Sequence, residues 1–143
     1  MMLAYGTGRS ADIPAIFAQA KALVDAYEDV SAIDYDWVMD WMARKITQKI
    51  GDYTRVTLNG ELCAYYRLTE DEELDDLYVL APFRGRGIGS AILERCIRES
   101  RAPLWLYVFT ENRRAIALYR RFGFAPAEAV GKTRLIMKRE EQP

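Results

Sequence analysis

The stretch Leu77-Tyr-Val-Leu-Ala-Pro-Phe-Arg-Gly-Arg-Gly-Ile-Gly-Ser90 decides the fold more than any other segment of this chain. Its apolar first half is typical of a buried strand that ends at Pro82, and an amphipathic helix is predicted to begin near Ile88. Glycines let the backbone approach a ligand closely, and a helix start presents unpaired N–H groups and the positive end of the helix dipole. The segment therefore predicts a site for a phosphate-bearing anion, to which Arg84 and Arg86 add positive charge.

Three known kinds of phosphate-binding loop share features with this segment. A Walker loop needs Gly-x-x-x-x-Gly-Lys-Ser/Thr, but the Gly-Lys-Thr at 131–133 has Pro126 where the first glycine belongs, which excludes it. A dinucleotide fingerprint needs G-x-G-x-x-G in an early strand-helix unit. The glycines here are spaced G-x-G-x-G and follow hairpin strands, which disfavours that kind. The third kind is an Arg/Gln-x-x-Gly-x-Gly/Ala loop, which residues 84–89 match in full.

The third kind of loop is that of the GNAT N-acetyltransferases, and a second motif extends the resemblance. Leu104–Asn112 resembles the family's fifth strand and the asparagine after it, and Arg113–Phe124 resembles the next helix with its tyrosine and Phe-Gly-Phe exit. The match runs from Leu74 to Ala125. It implies that residues 1–143 form a single GNAT domain of α/β (α+β) class. That fold is a mixed, mostly antiparallel sheet of six to seven strands with about four helices, in which the fourth and fifth strands splay apart.

The resemblance also implies the chemistry. The co-substrate would be acetyl-CoA, with no metal, and its pyrophosphate would bind the backbone of the glycine loop. Its pantetheine arm would add to the edge of strand 77–79 by main-chain hydrogen bonds. Tyr119 would protonate the departing thiolate, and a backbone N–H of the fourth strand, that of Val79, would polarise the carbonyl. The cofactor-binding residues implied are Leu77, Tyr78, Val79, Arg84, Gly85, Arg86, Gly87, Ile88, Gly89, Ser90, Asn112 and Tyr119.

The general base is less sharply defined. The carboxylate that many members of the family carry on the fourth strand corresponds to Glu73, which with Tyr119 completes the predicted catalytic pair. Asp75 follows on the same strand face because side chains alternate, and a chain of water molecules is a further alternative. The ribosomal-protein-acetylating branch of the family uses a fifth-strand glutamate, but the matching residue here is Tyr107, which argues against that branch.

Composition excludes several other classes of protein. The net charge of −1 gives no support for binding nucleic acid, and the lack of an apolar run near ~20 residues argues against a membrane span. Without histidine, the chain has no Ser-His-Asp unit and no histidine-based metal site. Cys63 and Cys96 are predicted to be buried core residues rather than a disulfide framework. With no visible signal peptide, these features lead us to expect a cytoplasmic protein.

The remaining segments show helical and strand periodicities that are consistent with this fold. An Asn59-Gly60 hairpin is the strongest of these local signals. Ser10 is predicted to cap the first helix. The predicted elements are a strand at Met2–Tyr5 closed by Gly6–Gly8, a helix to about Val24, a helix from Asp34 or Tyr35 to Ile50, strands at Tyr53–Leu58, Glu61–Leu68 and Leu74–Leu80, and a last strand at Lys132–Lys138.

The acceptor is expected to bind the first two helices and their connection. Acidic and aromatic side chains at 27–29, 34–37 and Trp41 would suit an ammonium group of a small molecule or a peptide. Trp37 and Trp41, however, are interpreted as anchors of the second helix in the core. We expect a primary amine acceptor; a homodimer stays open. The alternatives are a non-catalytic acyl-CoA sensor or interaction module of the same fold, and a different nucleotide at the loop.

Overall fold

The computed structural model describes residues 2–140, which form four α-helices and seven strands in two antiparallel sheets. The strands are β1 (Leu3–Thr7), β2 (Thr54–Leu58), β3 (Glu61–Leu68), β4 (Leu74–Val79), β5 (Trp105–Phe109), β6 (Phe124–Val130) and β7 (Arg134–Arg139). The helices are α1 (Ile13–Tyr27), α2 (Tyr35–Lys49), α3 (Ile88–Glu99) and α4 (Arg113–Arg121). The predicted fold class and number of elements are confirmed. No helix within residues 2–140 is long and apolar enough to cross a membrane.

The first sheet has the order β1-β2-β3-β4, and two residues determine the turn between β2 and β3. Asn59 and Gly60 have φ of 52° and 88°, the left-handed values that a two-residue type I′ turn requires. The predicted hairpin is therefore confirmed, although β2 begins at Thr54 rather than Tyr53.

Other predicted boundaries also differ from the structure. The first strand does not close at Gly6–Gly8, since pairing with β2 continues as far as Thr7 opposite Thr54. Ser10 does not cap α1, because it begins a short 3-10 turn that leads into that helix. The last strand begins at Arg134, because residues 131–133 form the turn that follows β6.

The second sheet has the order β5-β7-β6 and touches the first at one end of β4 and β5. Among residues 2–140 the two strands share a single parallel bridge, between Glu73 and Trp105. Beside it the Trp105 N–H donates to the Glu72 carbonyl at 3.1 Å, and the indole N–H donates to the Asp71 carbonyl at 2.9 Å. Beyond this bridge β4 and β5 belong to separate sheets. The predicted splay is confirmed, and the mixed sheet that we expected is thus two antiparallel sheets with one parallel contact.

Two hydrophobic cores cover opposite faces of the sheets. Tyr65 of β3 packs with α1 and α2, whereas its neighbours Ala64 and Tyr66 pack with α3 and α4. Cys63 and Cys96 are fully buried in the second of these cores, which confirms their interpretation as core residues. The splayed edges of β4 and β5 thus lie between two helical layers.

Candidate active site

A cleft of about 1470 Å³ opens where β4 and β5 diverge. Its walls come from both strands, from the glycine loop with the start of α3, from α4 and from the facing sides of α1 and α2. Every predicted site residue lines it except Arg86, whose guanidinium lies 5.3 Å from the centroid of the Phe83 ring. Residues far apart in the sequence are thereby brought to one cavity.

The glycine loop presents a helix start to this cleft. Gly85 and Gly87 have φ of 79° and 80°, values that favour glycine strongly, and Gly87 is the residue immediately before α3. No side chain within residues 2–140 caps this end, and the N–H groups of the first turn have no intrahelical acceptor. A Cβ added at either glycine would meet nothing within 4 Å, so the space above the loop is open. This arrangement can hold a phosphate.

The edge of β4 offers main-chain groups to the same cleft. The Leu80 N–H donates to the Cys63 carbonyl of β3 at 2.9 Å. Because main-chain groups alternate along a strand, those of Leu77 and Val79 point away from β3 and into the cleft. The Arg84 Nε donates to the Val79 carbonyl at 3.0 Å, so this arginine is turned towards the strand end. An extended ligand could pair with this edge.

A β-bulge places three carboxylates on one side of β4. Arg67 pairs with Asp76 and Leu68 with Leu74, which leaves Asp75 as an extra residue in the strand. Asp75 is held by the Lys45 ammonium at 2.5 Å and by the Arg67 guanidinium at 2.6 Å. The bulge thus sets Asp75 and Asp76 side by side next to Glu73, an arrangement that simple alternation does not produce.

Glu73 lies beside these charges, but no cation among residues 2–140 forms an ion pair with it, whereas two cations hold Asp75. Burial, reinforced by the negative charge of Asp75, raises its pKa to about 7. Asp76 accepts hydrogen bonds from the hydroxyls of Tyr53 and Tyr78, the latter at 2.7 Å, and burial raises its pKa. A carboxyl group that titrates near neutral pH can take up a proton during a reaction.

Sequence reasoning missed three of the charged residues at this end of the cleft: Lys45, Arg67 and Asp76. A signal for one pair was present, because Arg67 and Asp76 are opposite charges on consecutive predicted strands that a hairpin would bring face to face. Lys45 lies on α2, whose packing against β4 no local pattern reveals.

Tyr119 and Asn112 enter the cleft from α4. The Asn112 Oδ1 accepts from the Ala115 N–H at 3.3 Å, so this residue is the N-cap of α4, which leaves its amide NH₂ group free to donate. The Tyr119 ring lies 5.6 Å from the Phe124 ring and packs against the core. Burial, with the negative charge of Asp76, raises the pKa of Tyr119, so its phenol keeps its proton at neutral pH.

Trp37 and Trp41 do not anchor α2, and that prediction is wrong. Their side chains are 57% and 46% exposed, and both line the cleft. The two rings stack with centroids 6.4 Å apart and planes 9° apart. Met42 and Ile46, on the adjacent stripe of the helix, are the buried residues that fix α2.

Comparisons with known proteins agree with this fold. An uncharacterized N-acetyltransferase of Methanocaldococcus jannaschii is 38% identical over 65 residues, which cover 43% of this chain and 29% of that protein. The solution structure of apo YjaB from Escherichia coli has a TM-score of 0.74 at 18% identity, covering 96% of this chain and 97% of that one. The PaiA N-acetyltransferase of Thermoplasma acidophilum, solved in complex with coenzyme A, has a TM-score of 0.70 at 15% identity, covering 99% and 100%.

These structural likenesses establish the fold, and the family model goes further. It matches residues 19–124, which include the glycine loop, both splayed strands and α4. The chain therefore belongs to the Acetyltransferase (GNAT) family.

Proposed function

We propose that the protein is an acetyl-CoA-dependent N-acetyltransferase that moves an acetyl group to a primary amine of a small molecule or peptide. The observation that carries this proposal is the convergence of three features on one cleft: an open helix start, an unpaired strand edge and a protonated phenol. The complex of the Thermoplasma acidophilum neighbour with coenzyme A supports the choice of co-substrate.

The loop and the strand edge fit the two parts of such a co-substrate. The N–H groups of residues 85–90 would hold the pyrophosphate, for which the open space above Gly85 and Gly87 leaves room. The main-chain groups of Leu77 and the second lone pair of the Val79 carbonyl would pair with the amides of the pantetheine arm, which leaves the Val79 N–H for the thioester. The amide NH₂ of Asn112, which its capping bond does not use, would donate to the same arm.

The proposed catalytic roles follow from the protonation state and the ion pairs of each group. The acceptor nitrogen attacks the thioester carbonyl carbon directly, while the Val79 N–H polarises the carbonyl oxygen. The carbon–sulfur bond then breaks, and the Tyr119 hydroxyl gives its proton to the departing thiolate. Glu73 accepts the proton that the amine loses, since its pKa of about 7 suits that task at neutral pH. Asp75 is the weaker candidate because two cations already hold it.

Calorimetric titration with acetyl-CoA, run beside a thiol-release assay on a panel of amines, tests the proposal. We expect saturable binding of acetyl-CoA and thiol release with neutral or cationic primary amines. Binding without turnover by any amine would favour a non-catalytic acyl-CoA sensor instead. Turnover confined to alcohols or anionic amines would contradict the choice of acceptor, and lack of binding would contradict the loop assignment.

A further inference from the structure

We propose that the acceptor is a linear diamine or polyamine, whose distal ammonium group rests on the exposed indoles of Trp37 and Trp41. The inference rests on the proposed function, because it names the acceptor class for the same cleft. The reacting amine would lie near Glu73, and the remaining chain would follow α2 away from the strands.

The exposed indoles are the first observation. Within residues 2–140, five large apolar side chains are markedly exposed, and three of them, Trp37, Trp41 and Tyr107, line this one cleft. The two indoles are not needed to hold α2, whose buried stripe lies beside them. Two exposed indoles in the wall of a substrate cleft provide aromatic surface there, and the negative faces of indole rings bind organic cations.

The position of Lys45 provides an internal example of that recognition. Its ammonium lies 5.8 Å from the centroid of the Trp41 ring and 2.5 Å from the Asp75 carboxylate. An amine cation is therefore already held between an indole and a carboxylate at the inner end of this surface. The outer indole, Trp37, is one helical turn further from Asp75 and is the more exposed of the two.

The charge around the indoles determines which sign of charge the ligand should carry. Residues 22–43 hold six acidic side chains and no lysine or arginine, although the whole chain has a net charge of only −1. Asp36 and Asp40 flank the two indoles in the sequence of α2, and no described residue forms an ion pair with either. Such a field attracts a cation and repels an anion at the mouth of the cleft.

The cations that line the same end do not cancel this field. Lys45 and Arg67 are both paired with Asp75. Arg134 lies 5.7 Å from the centroid of the Tyr107 ring, on the second sheet. Beside them stand Glu28, Glu73 and Asp76. The indole surface thus remains on the acidic side of the cleft.

The geometry of α2 favours a long ligand. Trp37, Trp41 and Lys45 recur every four residues and form one stripe, which rises about 12 Å along the helix axis. A linear amine with several methylene groups between its nitrogens matches such a stripe, whereas a compact amine would leave the outer indole bare.

Three acceptors of equal length test the proposal: 1,8-diaminooctane, octylamine and 8-aminooctanoate. We expect kcat/KM for the diamine to exceed that for octylamine by about 10-fold at low salt, mainly through KM, and 8-aminooctanoate to be the poorest. Replacing both Trp37 and Trp41 with alanine should abolish the preference of the diamine over octylamine. Val30→Ala, which changes an exposed apolar residue outside the cleft, is the matched control.

Replacing Asp36 and Asp40 with asparagine tests the electrostatic attraction of the ligand separately from its packing against the indoles. This double variant should flatten the salt dependence of the diamine and lower its kcat/KM several-fold more than that of octylamine, which carries one positive charge instead of two. Equal kcat/KM for the diamine and octylamine in the unmodified protein would overturn the proposal. So would a preference for peptides with a basic second residue over every free diamine.

A binding measurement keeps the proposal testable without turnover. The indole N–H resonances of Trp37 and Trp41, assigned through the alanine variants, should shift on titration with 1,8-diaminooctane. The Trp105 resonance serves as internal reference, since its indole N–H is bonded to the Asp71 carbonyl. Shifts of the indole resonances without acetyl transfer would support the diamine site and contradict the proposed function. Equal acetyl transfer to octylamine and the diamine, without such shifts, would support the proposed function and contradict the diamine site.

Discussion

Tyr119 and Glu73 face one cleft with pKa values raised above their usual range, and the consequences of the two shifts are opposite. For Tyr119, burial keeps the phenol protonated, so it can donate a proton and cannot act as a base at neutral pH. For Glu73, burial beside Asp75 moves the pKa to about 7, where the carboxyl group can accept one. Two titratable groups with different protonation states at one pH can serve as an acid and a base, which is the pairing that we propose.

Replacement of Tyr119 by phenylalanine tests the acid. The ring still packs against Phe124, but no proton reaches the leaving thiolate, so kcat should fall roughly 100-fold or more. The affinity for acetyl-CoA, measured by calorimetry, should hardly change. Tyr107→Phe removes an exposed phenol from the same cleft and is the matched control. Equal losses of kcat and affinity in Tyr119→Phe would mean that the hydroxyl is structural.

Replacement of Glu73 by glutamine tests the base through pH dependence. A base must be deprotonated to act, so kcat/KM of the unmodified protein should rise with pH and level off above about 7. In Glu73→Gln the rate should fall about 100-fold and this inflection should disappear. An inflection that persists in the variant would assign the proton to water or to Asp75.

The same variant has a second readout in stability. Burial raises the pKa of Glu73 from the usual 4.5 of a glutamate to about 7, so the folded state binds more protons than the unfolded chain between these values. The contribution of Glu73 to stability is therefore lost as pH rises from about 4.5 through 7. Glu73→Gln should remove that part of the pH dependence, whereas the part due to Asp76, whose pKa burial also raises, should remain. Thermal unfolding at pH 5 and pH 8 measures it, with Asp71→Asn as control. An unchanged pH dependence in Glu73→Gln would show that the carboxyl is not perturbed.

At the scale of elements, the glycine loop makes a sharp prediction about binding. Gly87→Glu would direct a carboxylate at the phosphate site from a position where a Cβ meets nothing within 4 Å. We expect acetyl-CoA binding to be lost, with a folding cost of about 1–2 kcal/mol from the left-handed backbone. Gly60→Glu is the matched control, because Gly60 also has positive φ and open space but lies in the β2–β3 turn. If calorimetry at high ligand concentration still detects acetyl-CoA binding to the Gly87→Glu variant, the loop does not hold the phosphate.

The elements also show which features the sequence could predict. The hairpin at Asn59-Gly60 and the start of α3 depend on local backbone preferences, and both were predicted correctly. The bulge in β4 depends on how two strands pair, although the spacing of Leu74 and Leu77 interrupts the alternation and hints at it. The exposure of Trp37 depends on which of two apolar stripes of α2 meets the sheet, and only tertiary packing decides that.

At the scale of the whole molecule, the two sheets are tied together weakly on one side of the cleft. Within residues 2–140 a single bridge joins β4 to β5, and the rest of their facing edges borders the cavity. A ligand that pairs with the β4 edge while its pyrophosphate binds α3 would add contacts between elements that now lie apart. Binding should therefore change the stability of the whole chain as well as that of the loop.

Thermal unfolding with and without acetyl-CoA tests this coupling. A ligand at 100 times its Kd stabilises the native state by about 2.7 kcal/mol, which corresponds to a rise in Tm of roughly 8 °C for a chain of this size. Hydrogen exchange should slow at the main chain of Leu77 and Val79 and at the first turn of α3. ATP carries a pyrophosphate but no pantetheine arm, so it should protect the α3 turn alone and raise Tm less. Equal protection of Leu77 and Val79 by ATP would show that the strand edge does not recognise the arm, and that the loop serves another nucleotide.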